Sequence, residues 1–377
     1  MRIGIITLPL HTNYGGIIQA YALQTILNSL GHNASVIYSP YRDHPLWKQP
    51  FAVGIRVLRK ILKDWNTRIF VEHEQRIIRR STEAFILHHI QSRRIRTTAE
   101  IGSSDYDAFV VGSDQIWRYR YIIEHQMGLM PYLDFARDWQ VGRCAYAASF
   151  GIDEWDYPEE YSEECRRLIT LFDAISVRED IGIDFCRDYL GVKAVHLLDP
   201  TMLLDANHYV RLIEEAAVPH SPGDLFCYIL DQSPEKQDLI NRIVDRYGLH
   251  PFSVMPKRSI CDQAPVCDRI VQPIEQWLRG FADAKMVVTD SFHGCAFSII
   301  FGRPFVAIGN AARGLSRMQS LLRMFDMTDH LISDLTSATP IPAPDLPVNL
   351  SEQLEARREE ALTWLRQALK STSTSSN

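Results

Sequence analysis

The sequence predicts an α/β protein built from two doubly wound parallel sheets. Short β-branched runs alternate with segments of helical periodicity along most of the chain, an order typical of parallel sheets with helices on both faces. The alternation restarts after residues 199–200, which indicates a second sheet of the same kind. With 377 residues, 46% of them hydrophobic, the chain is long enough to form two cores.

The first series of elements begins with an apolar strand at residues 2–8, followed by a glycine turn and a helix at 17–30 that Gly31 ends. Five further apolar runs continue the sheet, at 34–38, 107–111, 143–148, 174–177 and 194–198. These segments predict an N-terminal Rossmann-like domain at residues 1–205.

The second series has the same character. It predicts strands at 225–230, 251–254, 287–289 and 304–308, and helices at 234–247 and 273–284. We assign it to a C-terminal Rossmann-like domain at residues 206–345. A charged amphipathic helix at 346–370 is expected to pack back on the first domain, and the polar tail at 371–377 is expected to be disordered.

Charge, cysteine and hydropathy patterns exclude several classes of protein. A formal net charge of −6 argues against a nucleic-acid binder, which carries a basic stripe. Seven cysteines without a CxxC pair favour reduced thiols in a cytoplasmic protein over a metal site. No apolar run reaches the roughly 18 residues of a membrane span, and the N-terminus lacks the cleavage site of a signal peptide.

Residues 51–65 form a basic segment of helical periodicity. Its apolar side chains at helical spacing are Leu58, Ile61, Leu62 and Trp65, and its basic side chains are Arg56, Arg59, Lys60 and Lys63. Such a helix packs on the domain or lies on an anionic membrane surface. Because Arg59 and Lys60 break up the polar face, we expect an ordinary packed helix, with peripheral contact at the inner face of the membrane as the alternative.

Ligands of doubly wound sheets bind outside the carboxyl ends of the strands. The candidate site therefore comprises the strand-to-helix turns, at 11–16, 112–117, 149–151, 178–180 and 290–294. The first turn holds four candidate ligand-binding residues, Asn13, Tyr14, Gly15 and Gly16. Backbone amides at such a helix start suit a phosphate or a sugar hydroxyl. A tight turn that simply requires glycine is the alternative.

Two more turns of the first domain carry polar candidates. Asp114 and Gln115 follow a buried strand and suit sugar hydroxyls, with helix capping as the alternative. Arg178 follows another strand, and its guanidinium suits a carboxylate or a phosphate. An ion pair with Glu179 or Asp180 is the alternative for this arginine.

Residues 287–305, VVTDSFHGCAFSIIFGRPF, predict a strand, a turn and a helix. Four candidate site residues lie at the turn: Asp290, Ser291, His293 and Gly294. A helix start favours a bound anion and lowers a histidine pKa. A lone histidine is more often structural, but the position of His293 at the predicted mouth of the sheet, beside Asp290 and Ser291, favours a functional role. Further on, Arg313 and Arg317 begin another helix, where they either close a second anion clamp or are solvated.

Six stretches together resemble the polysaccharide pyruvyl transferase family. They occur in order between residues 1 and about 325: ITLPLHTNYGGIIQAYALQ, YDAFVVGSDQIW, AYAASFG, ISVRED, LLDPTMLL and VVTDSFHGCAFSIIFGRPF. The resemblance implies two Rossmann-like domains facing a cleft, as in B-type glycosyltransferases. It also implies transfer of the enolpyruvyl group of phosphoenolpyruvate to sugar hydroxyls. The product would be a pyruvate ketal on exopolysaccharide, on capsule or on a lipid-linked oligosaccharide.

The resemblance also implies roles for the candidate residues. His293 is expected to be the catalytic acid or the phosphate ligand, with Asp290 orienting it. Asn13, Asp114 and Gln115 are expected to hold the acceptor sugar. Phosphoenolpyruvate is the donor substrate in this scheme, and neither a metal nor a cofactor is required.

One departure from the family concerns the donor. Other branches carry an arginine where this chain has Ser291, two residues before the histidine. Either Arg178, Arg313 or Arg317 binds the donor instead, or the donor differs. Two other functions therefore stay open: a nucleotide-sugar-dependent glycosyltransferase and a non-catalytic sugar-binding subunit of a polysaccharide assembly complex.

Overall fold

The computed structural model describes residues 1–38, 49–62, 68–310, 314–333, 335–336, 339–342 and 345–374. Within these residues, twelve strands form two sheets whose paired neighbours all run parallel. Parallel neighbours need a crossover connection, usually a helix, and helices separate most of these strands. The prediction of an α/β fold with two Rossmann-like parallel sheets is confirmed.

The first sheet has seven strands in the described part of the chain. They are β1 (Arg2–Ile6), β2 (Asn33–Tyr38), β3 (Ser92–Arg94), β4 (Ala108–Val111), β5 (Gly142–Ala148), β6 (Ala174–Val177) and β7 (Val195–His196). Their order is β3-β2-β1-β4-β5-β6-β7, so the direction of winding reverses between β1 and β4. The crevice of this sheet therefore lies beyond the carboxyl ends of β1 and β4.

The second sheet has five strands within the described ranges. They are β8 (Leu225–Tyr228), β9 (Pro251–Phe252), β10 (Met286–Thr289), β11 (Phe305–Ile308) and β12 (Leu331–Ile332). Their order is β12-β11-β10-β8-β9, so winding reverses between β8 and β10. The crevice of the second sheet lies beyond the ends of these two strands.

Thirteen α-helices occur in the described residues. They are α1 (Tyr14–Ser29), α2 (Gln49–Leu62), α3 (Val71–Ile78), α4 (Arg80–His89), α5 (Tyr119–Glu124), α6 (Glu159–Ile169), α7 (Ile181–Asp188), α8 (Ala206–Glu215), α9 (Pro234–Tyr247), α10 (Ile274–Asp283), α11 (Phe292–Ile300), α12 (Leu315–Met324) and α13 (Leu350–Thr374). None of these helices is both long enough and apolar enough to cross a membrane.

The structure differs from the sequence prediction at the sheet edges and at the first helix. β3, Ser92–Arg94, pairs with β2 at one edge, and it lacks the apolar run that marks a strand buried on both faces. α1 begins at Tyr14, three residues before the predicted start, with the extended Asn13 at the cap position. Residues 14–16 thus belong to the first turn of a helix, which matters for ligand binding.

Helix α2 contradicts the expectation of an ordinary helix packed on the domain. Its large apolar side chains are exposed: Phe51, Ile55, Leu58, Ile61 and Leu62. Arg56 faces the protein instead and donates two hydrogen bonds to Glu72. The expectation is wrong because periodicity defines the apolar face of a helix but not the direction in which that face points. Lys63 and Trp65 lie outside the described residues.

Tyr14 makes two of the contacts that connect the halves of the molecule. Tyr14 at the start of α1 stacks on Trp277 of α10, with ring centroids 5.5 Å apart, and its hydroxyl donates to the Gln272 carbonyl at 2.9 Å. The α1 and α10 helices share one buried apolar cluster, so burial of this surface holds the two sheets together. The boundary between residues 205 and 206 stays a prediction.

Helix α13 returns to the first sheet. Trp364 packs near Tyr146 of β5, with ring centroids 6.2 Å apart. Arg358 donates to the carbonyl oxygens of Met202 and Leu204, at 2.6 and 3.0 Å. The helix continues to Thr374, four residues into the tail for which we expect disorder, and residues 375–377 lie outside the described chain.

Candidate active site

A cavity of about 520 Å³ lies between the two sheets. Residues that follow four different strands line it: Thr12, Asn13 and Tyr14 after β1, Asp114 and Gln115 after β4, Ile229 and Leu230 after β8, and Asp290, Ser291 and His293 after β10. The crevices of both sheets therefore open into one space. This space is the candidate site, since ligands of such sheets bind at these crevices.

Two helices begin at the cavity wall, α1 at Tyr14 and α11 at Phe292. Their cap residues, Asn13 and Ser291, make no side-chain capping hydrogen bond to any described residue, and neither first turn contains an acidic residue. The first amides of a helix have no intrahelical acceptor, so these donors stay available to a ligand. Both helix dipoles add positive potential, and the cavity therefore favours an anion.

The N-terminal turns of α1 and α11 touch through Gly15 and His293. A Cβ atom on Gly15 would lie 2.0 Å from His293 Nδ1, so the imidazole ring occupies the space that any other side chain there would need. Gly294 approaches β10 in the same way, because its Cβ would lie 2.0 Å from Thr289 Oγ1. The two glycines thus set how closely α11 approaches α1 on one side and β10 on the other.

A buried ion pair lies behind His293. Arg178 Nη1 donates to Asp199 Oδ2 at 2.8 Å, and His293 Nε2 is 3.8 Å from the same oxygen. Ser113 Oγ donates to Oδ2 at 3.1 Å, and the amide and hydroxyl of Thr201 donate to Oδ1. Burial alone would raise the pKa of Asp199, but His293, Arg178 and these hydrogen bonds together lower it, so the carboxylate is ionised.

Burial sets the charge state of two groups at the cavity wall. It lowers the pKa of His293 to about 4, against the opposing influence of Asp199, so the ring is neutral at pH 7. Burial, followed by repulsion from Arg178, lowers the pKa of Arg317 to about 10, so this side chain stays a cation. An unliganded site thus presents a neutral imidazole beside a buried positive charge.

Asp114 borders both this first cavity and a second one of about 530 Å³. Thr12, Asn13 and Tyr121 also line both. Several charged and polar residues line only the second cavity: His11, Arg56, Glu72, Gln75, Arg79 and His125. Asp114 Oδ1 lies 3.6 Å from Arg178 Nη2, so the carboxylate sits near a cation. A carboxylate between two cavities can interact with a ligand in each.

Glu179 holds the loop that supports Arg317. Its Oε1 accepts hydrogen bonds from Ser149 Oγ and from the Gly151 amide, at 2.9 and 3.1 Å. The Gly151 carbonyl oxygen in turn lies 2.2 Å from where a Cβ of Gly314 would be. Gly314 is the cap residue of α12, which carries Arg317. Loops from the two sheets therefore fix the start of this helix together.

The structure distributes the predicted site residues over several positions. Eight of them line the first cavity: Asn13, Tyr14, Asp114, Gln115, Asp290, Ser291, His293 and Arg317. Gly15 and Gly294 set the packing around His293, and Gly16 lines the second cavity. Arg313 lies outside the described residues.

Arg178 packs behind Phe292 rather than pairing with a sequence neighbour. The alternative prediction pairs Arg178 with Glu179 or Asp180, whereas the structure pairs it with Asp199. The guanidinium also lies over the Phe292 ring, 4.5 Å from its centroid. The correct partner follows a different strand, so only the order of strands in the sheet brings it within reach.

Both carboxylate oxygens of Asp290 have partners on the β8 side of the cleft. Oδ1 accepts from the Leu230 amide and Oδ2 from Lys236 Nζ, each at 2.7 Å. Asp290 thus ties the end of β10 to the turn after β8. Asp199 is the carboxylate that approaches His293 in this structure, and the orienting role of Asp290 stays a prediction.

Asp199, Lys257 and Arg258 belong to the site but are not among the residues predicted from the sequence. Asp199 directly follows the predicted strand at 194–198, so its position at a strand end was the available signal. Lys257 and Arg258 line the cavity and follow the two-residue strand β9. A strand is predicted there, at 251–254, but the turn after it is not among the predicted ligand-binding turns, because it does not lead directly into a predicted helix.

Comparisons with known proteins give one family match. The model of the family described as polysaccharide pyruvyl transferase matches residues 13–311, and no curated protein matches the sequence. Among solved structures, apo UGT2 of Phytolacca americana is 12% identical with a TM-score of 0.43, covering 98% of this chain and 94% of that one. The UDP-GlcNAc 2-epimerases of Methanocaldococcus jannaschii and Neisseria meningitidis are 13% and 10% identical with TM-scores of 0.44. They cover 96% of this chain, and 93% and 100% of their own.

Replacing Gly15 by alanine should displace the His293 ring. The new Cβ would overlap the imidazole, and overpacking of this kind costs roughly 1–3 kcal/mol. We expect Gly15→Ala to lower the free energy of unfolding by that amount in urea denaturation. Gly54→Ala on α2 is the matched control, because no atom of the described residues lies within 4 Å of the place of the new Cβ and alanine favours a helix. Equal stability of Gly15→Ala and the wild type would contradict the contact.

Protonation of His293 should make the protein less stable as the pH falls. The unfolded ring takes up a proton near pH 6.5, whereas the buried ring resists protonation until its pKa of about 4. Between these values the unfolded state binds more protons, so stability falls by about 2 kcal/mol at pH 5. Denaturant titrations at pH 7 and pH 5 should show that His293→Gln removes this part of the loss.

His220→Gln is the control for this titration, because the His220 side chain is 84% exposed. It should keep the wild-type difference in unfolding free energy between the two pH values. If His293→Gln also keeps the full difference, burial does not depress the His293 pKa.

Proposed function

The chain belongs to the polysaccharide pyruvyl transferase family, whose model covers residues 13–311, and on that premise we propose that it transfers the enolpyruvyl group of phosphoenolpyruvate to sugar hydroxyls. Membership makes the protein a transferase, as predicted. The observation that carries the proposal is that two helix N-termini without side-chain caps meet Arg317 and a neutral His293 at one cavity. Such a site suits a small ligand with two anionic groups.

The donor would bind between the starts of α1 and α11. Phosphoenolpyruvate carries a phosphate and a carboxylate, so it needs two anion anchors. One anchor is the amide-rich start of α11 together with Arg317, and the other is the start of α1 facing Lys257 and Arg258. Other branches of the family carry an arginine at the position of Ser291. In this arrangement Arg317 supplies that positive charge instead.

Ketal formation attaches two acceptor oxygens to C2 of the donor. Two C2–O bonds to the acceptor form, and the C2–O bond to phosphate breaks. The two acceptor hydroxyls lose two protons. One proton balances the one that converts the methylene carbon to a methyl group, and the other leaves with inorganic phosphate. The site must therefore deliver one proton to carbon and accept one from a hydroxyl.

His293 would deliver the proton to the methylene carbon. The unliganded ring is neutral, but a polyanionic donor beside it raises the histidine pKa and favours the charged ring. Asp199, 3.8 Å from Nε2, stabilises that charge. Asp114, which borders both cavities, would accept the proton of the attacking hydroxyl.

The acceptor would occupy the second cavity. Because Asn13 and Asp114 border both cavities, a sugar there would present its hydroxyls to a donor in the first. We propose a saccharide acceptor, free or carried on a lipid, in exopolysaccharide or capsule assembly. The reaction would take place in the cytoplasm, at the inner face of the membrane.

Phosphoenolpyruvate should stabilise the protein against heat. A ligand at about one hundred times its Kd adds about 2.7 kcal/mol to the unfolding free energy, which raises Tm. Arg317→Met should weaken donor binding about tenfold or more, since a hydrogen bond to a charged group contributes about 1.5–3 kcal/mol. Arg323→Met on the same helix is the matched control, because Arg323 is 49% exposed and pairs with Asp180. It should keep the wild-type donor affinity.

A panel of nucleotide sugars in the same assay tests the second function. Stabilisation by a nucleotide sugar and not by phosphoenolpyruvate would overturn the proposal in favour of glycosyl transfer.

Removing the catalytic acid in His293→Gln should slow acceptor-dependent phosphate release by roughly 10²–10⁴-fold. Full complementation by this variant in a strain lacking the gene would instead indicate a non-catalytic sugar-binding subunit.

A further inference from the structure

Helix α2 turns an apolar stripe towards solvent. Four large side chains are spaced four, three and four residues apart, so they lie along one side of the helix: Phe51, Ile55, Leu58 and Leu62. Their exposed fractions are 71, 66, 58 and 75%. Ile61, at 66%, widens the stripe, which extends along most of the helix.

The opposite side of α2 attaches the helix to the protein through charge. Arg56 Nη1 and Nη2 donate to the two oxygens of Glu72 at 2.5 and 2.6 Å, and Nη1 also donates to the Ile69 carbonyl at 3.2 Å. Arg56 is only partly exposed. The helix is thus inverted relative to an ordinary surface helix, whose apolar side packs on the core and whose charges face water.

The charge of α2 indicates what kind of surface covers the stripe. Residues 49–62 contain three basic residues, Arg56, Arg59 and Lys60, and no acidic one, in a chain whose net charge is −6. Arg59 is exposed beside the stripe. Large contiguous apolar patches mark interaction sites, and an apolar stripe with an exposed basic residue at its edge matches an anionic lipid surface.

We infer that α2 binds an anionic bilayer, with its apolar stripe inserted at the level of the headgroups and Arg59 near lipid phosphates. A second copy of this chain fits the helix less well. In a two-fold contact the same face meets itself, so Arg59 of both copies would enter an interface to which α2 contributes no acidic residue.

The position of α2 connects the lipid surface with the second cavity. Arg56 and Glu72, which attach the helix, also line that cavity. A bilayer on the stripe would therefore lie close to the cavity that we assign to the acceptor. If the proposed function holds, on which this step rests, the geometry favours an acceptor saccharide attached to a membrane lipid.

Vesicle flotation tests the inference without donor or acceptor. The full-length protein should float with vesicles of phosphatidylcholine and phosphatidylglycerol in equal parts, and not with phosphatidylcholine alone. The double substitution Ile55→Ser and Leu58→Ser should reduce binding about tenfold or more, because it removes inserted apolar surface. Arg59→Glu should weaken binding to the anionic vesicles most strongly at low salt.

Leu171→Ser is the matched control for the apolar substitutions. Leu171 is 41% exposed but precedes β6, at the amino ends of the strands, whereas α2 follows the carboxyl end of β2. This control should bind vesicles like the wild type. Equal vesicle binding by the wild type and the Ile55/Leu58 variant would overturn the inference.

Two further readouts separate the other outcomes. A concentration-dependent dimer that the Ile55/Leu58 variant abolishes, without vesicle binding by the wild type, would assign the stripe to a second copy and overturn the lipid inference. The phosphoenolpyruvate-induced rise in Tm should persist in this variant, because α2 contributes no residue to the first cavity. Failure of the lipid inference and failure of the proposed donor are therefore distinguishable.

Discussion

The contact between Gly15 and His293 is the constraint on which the rest of the site depends. Each residue lies in the first turn of a helix that follows a strand of a different sheet. A side chain at residue 15 would separate the two helix starts, so the glycine allows their free amides to face one cavity. Two helix dipoles that converge in this way favour an anion more strongly than either does alone.

Burial keeps His293 neutral, because the charges around this contact offset the loss of solvent only in part. Asp199 already accepts hydrogen bonds from Arg178, Ser113 and Thr201, and His293 Nε2 has no hydrogen-bond partner among the described residues. Desolvation of the ring is therefore only partly offset, and its pKa falls to about 4. Removing one partner of a buried ion pair leaves an uncompensated charge and costs about 3–5 kcal/mol, so the cavity wall requires Arg178 and Asp199 together.

The two cavities and α2 are adjacent, because they share lining residues in sequence from the helix N-termini to α2. Asp114 lies at the border between the cavities, and Arg56 attaches α2 to the wall of the second cavity. The ion pair between Arg56 and Glu72 uses the polar side of α2 for this attachment. As a consequence, the apolar side of the helix is left facing away from the protein, where an ordinary packed helix would present its charges.

The sequence by itself determined the features that depend on near neighbours. The helix Pro234–Tyr247 has its predicted bounds because Ser233 caps the first turn and a glycine ends the last. Strand ends likewise placed most candidate residues at the carboxyl edges of the sheets. Only the tertiary structure decided that Arg178, Asp199 and His293 meet, and that the apolar face of α2 points outward. Caps and periodicity act over a few residues, whereas partners from three strand ends are chosen by how two sheets pack.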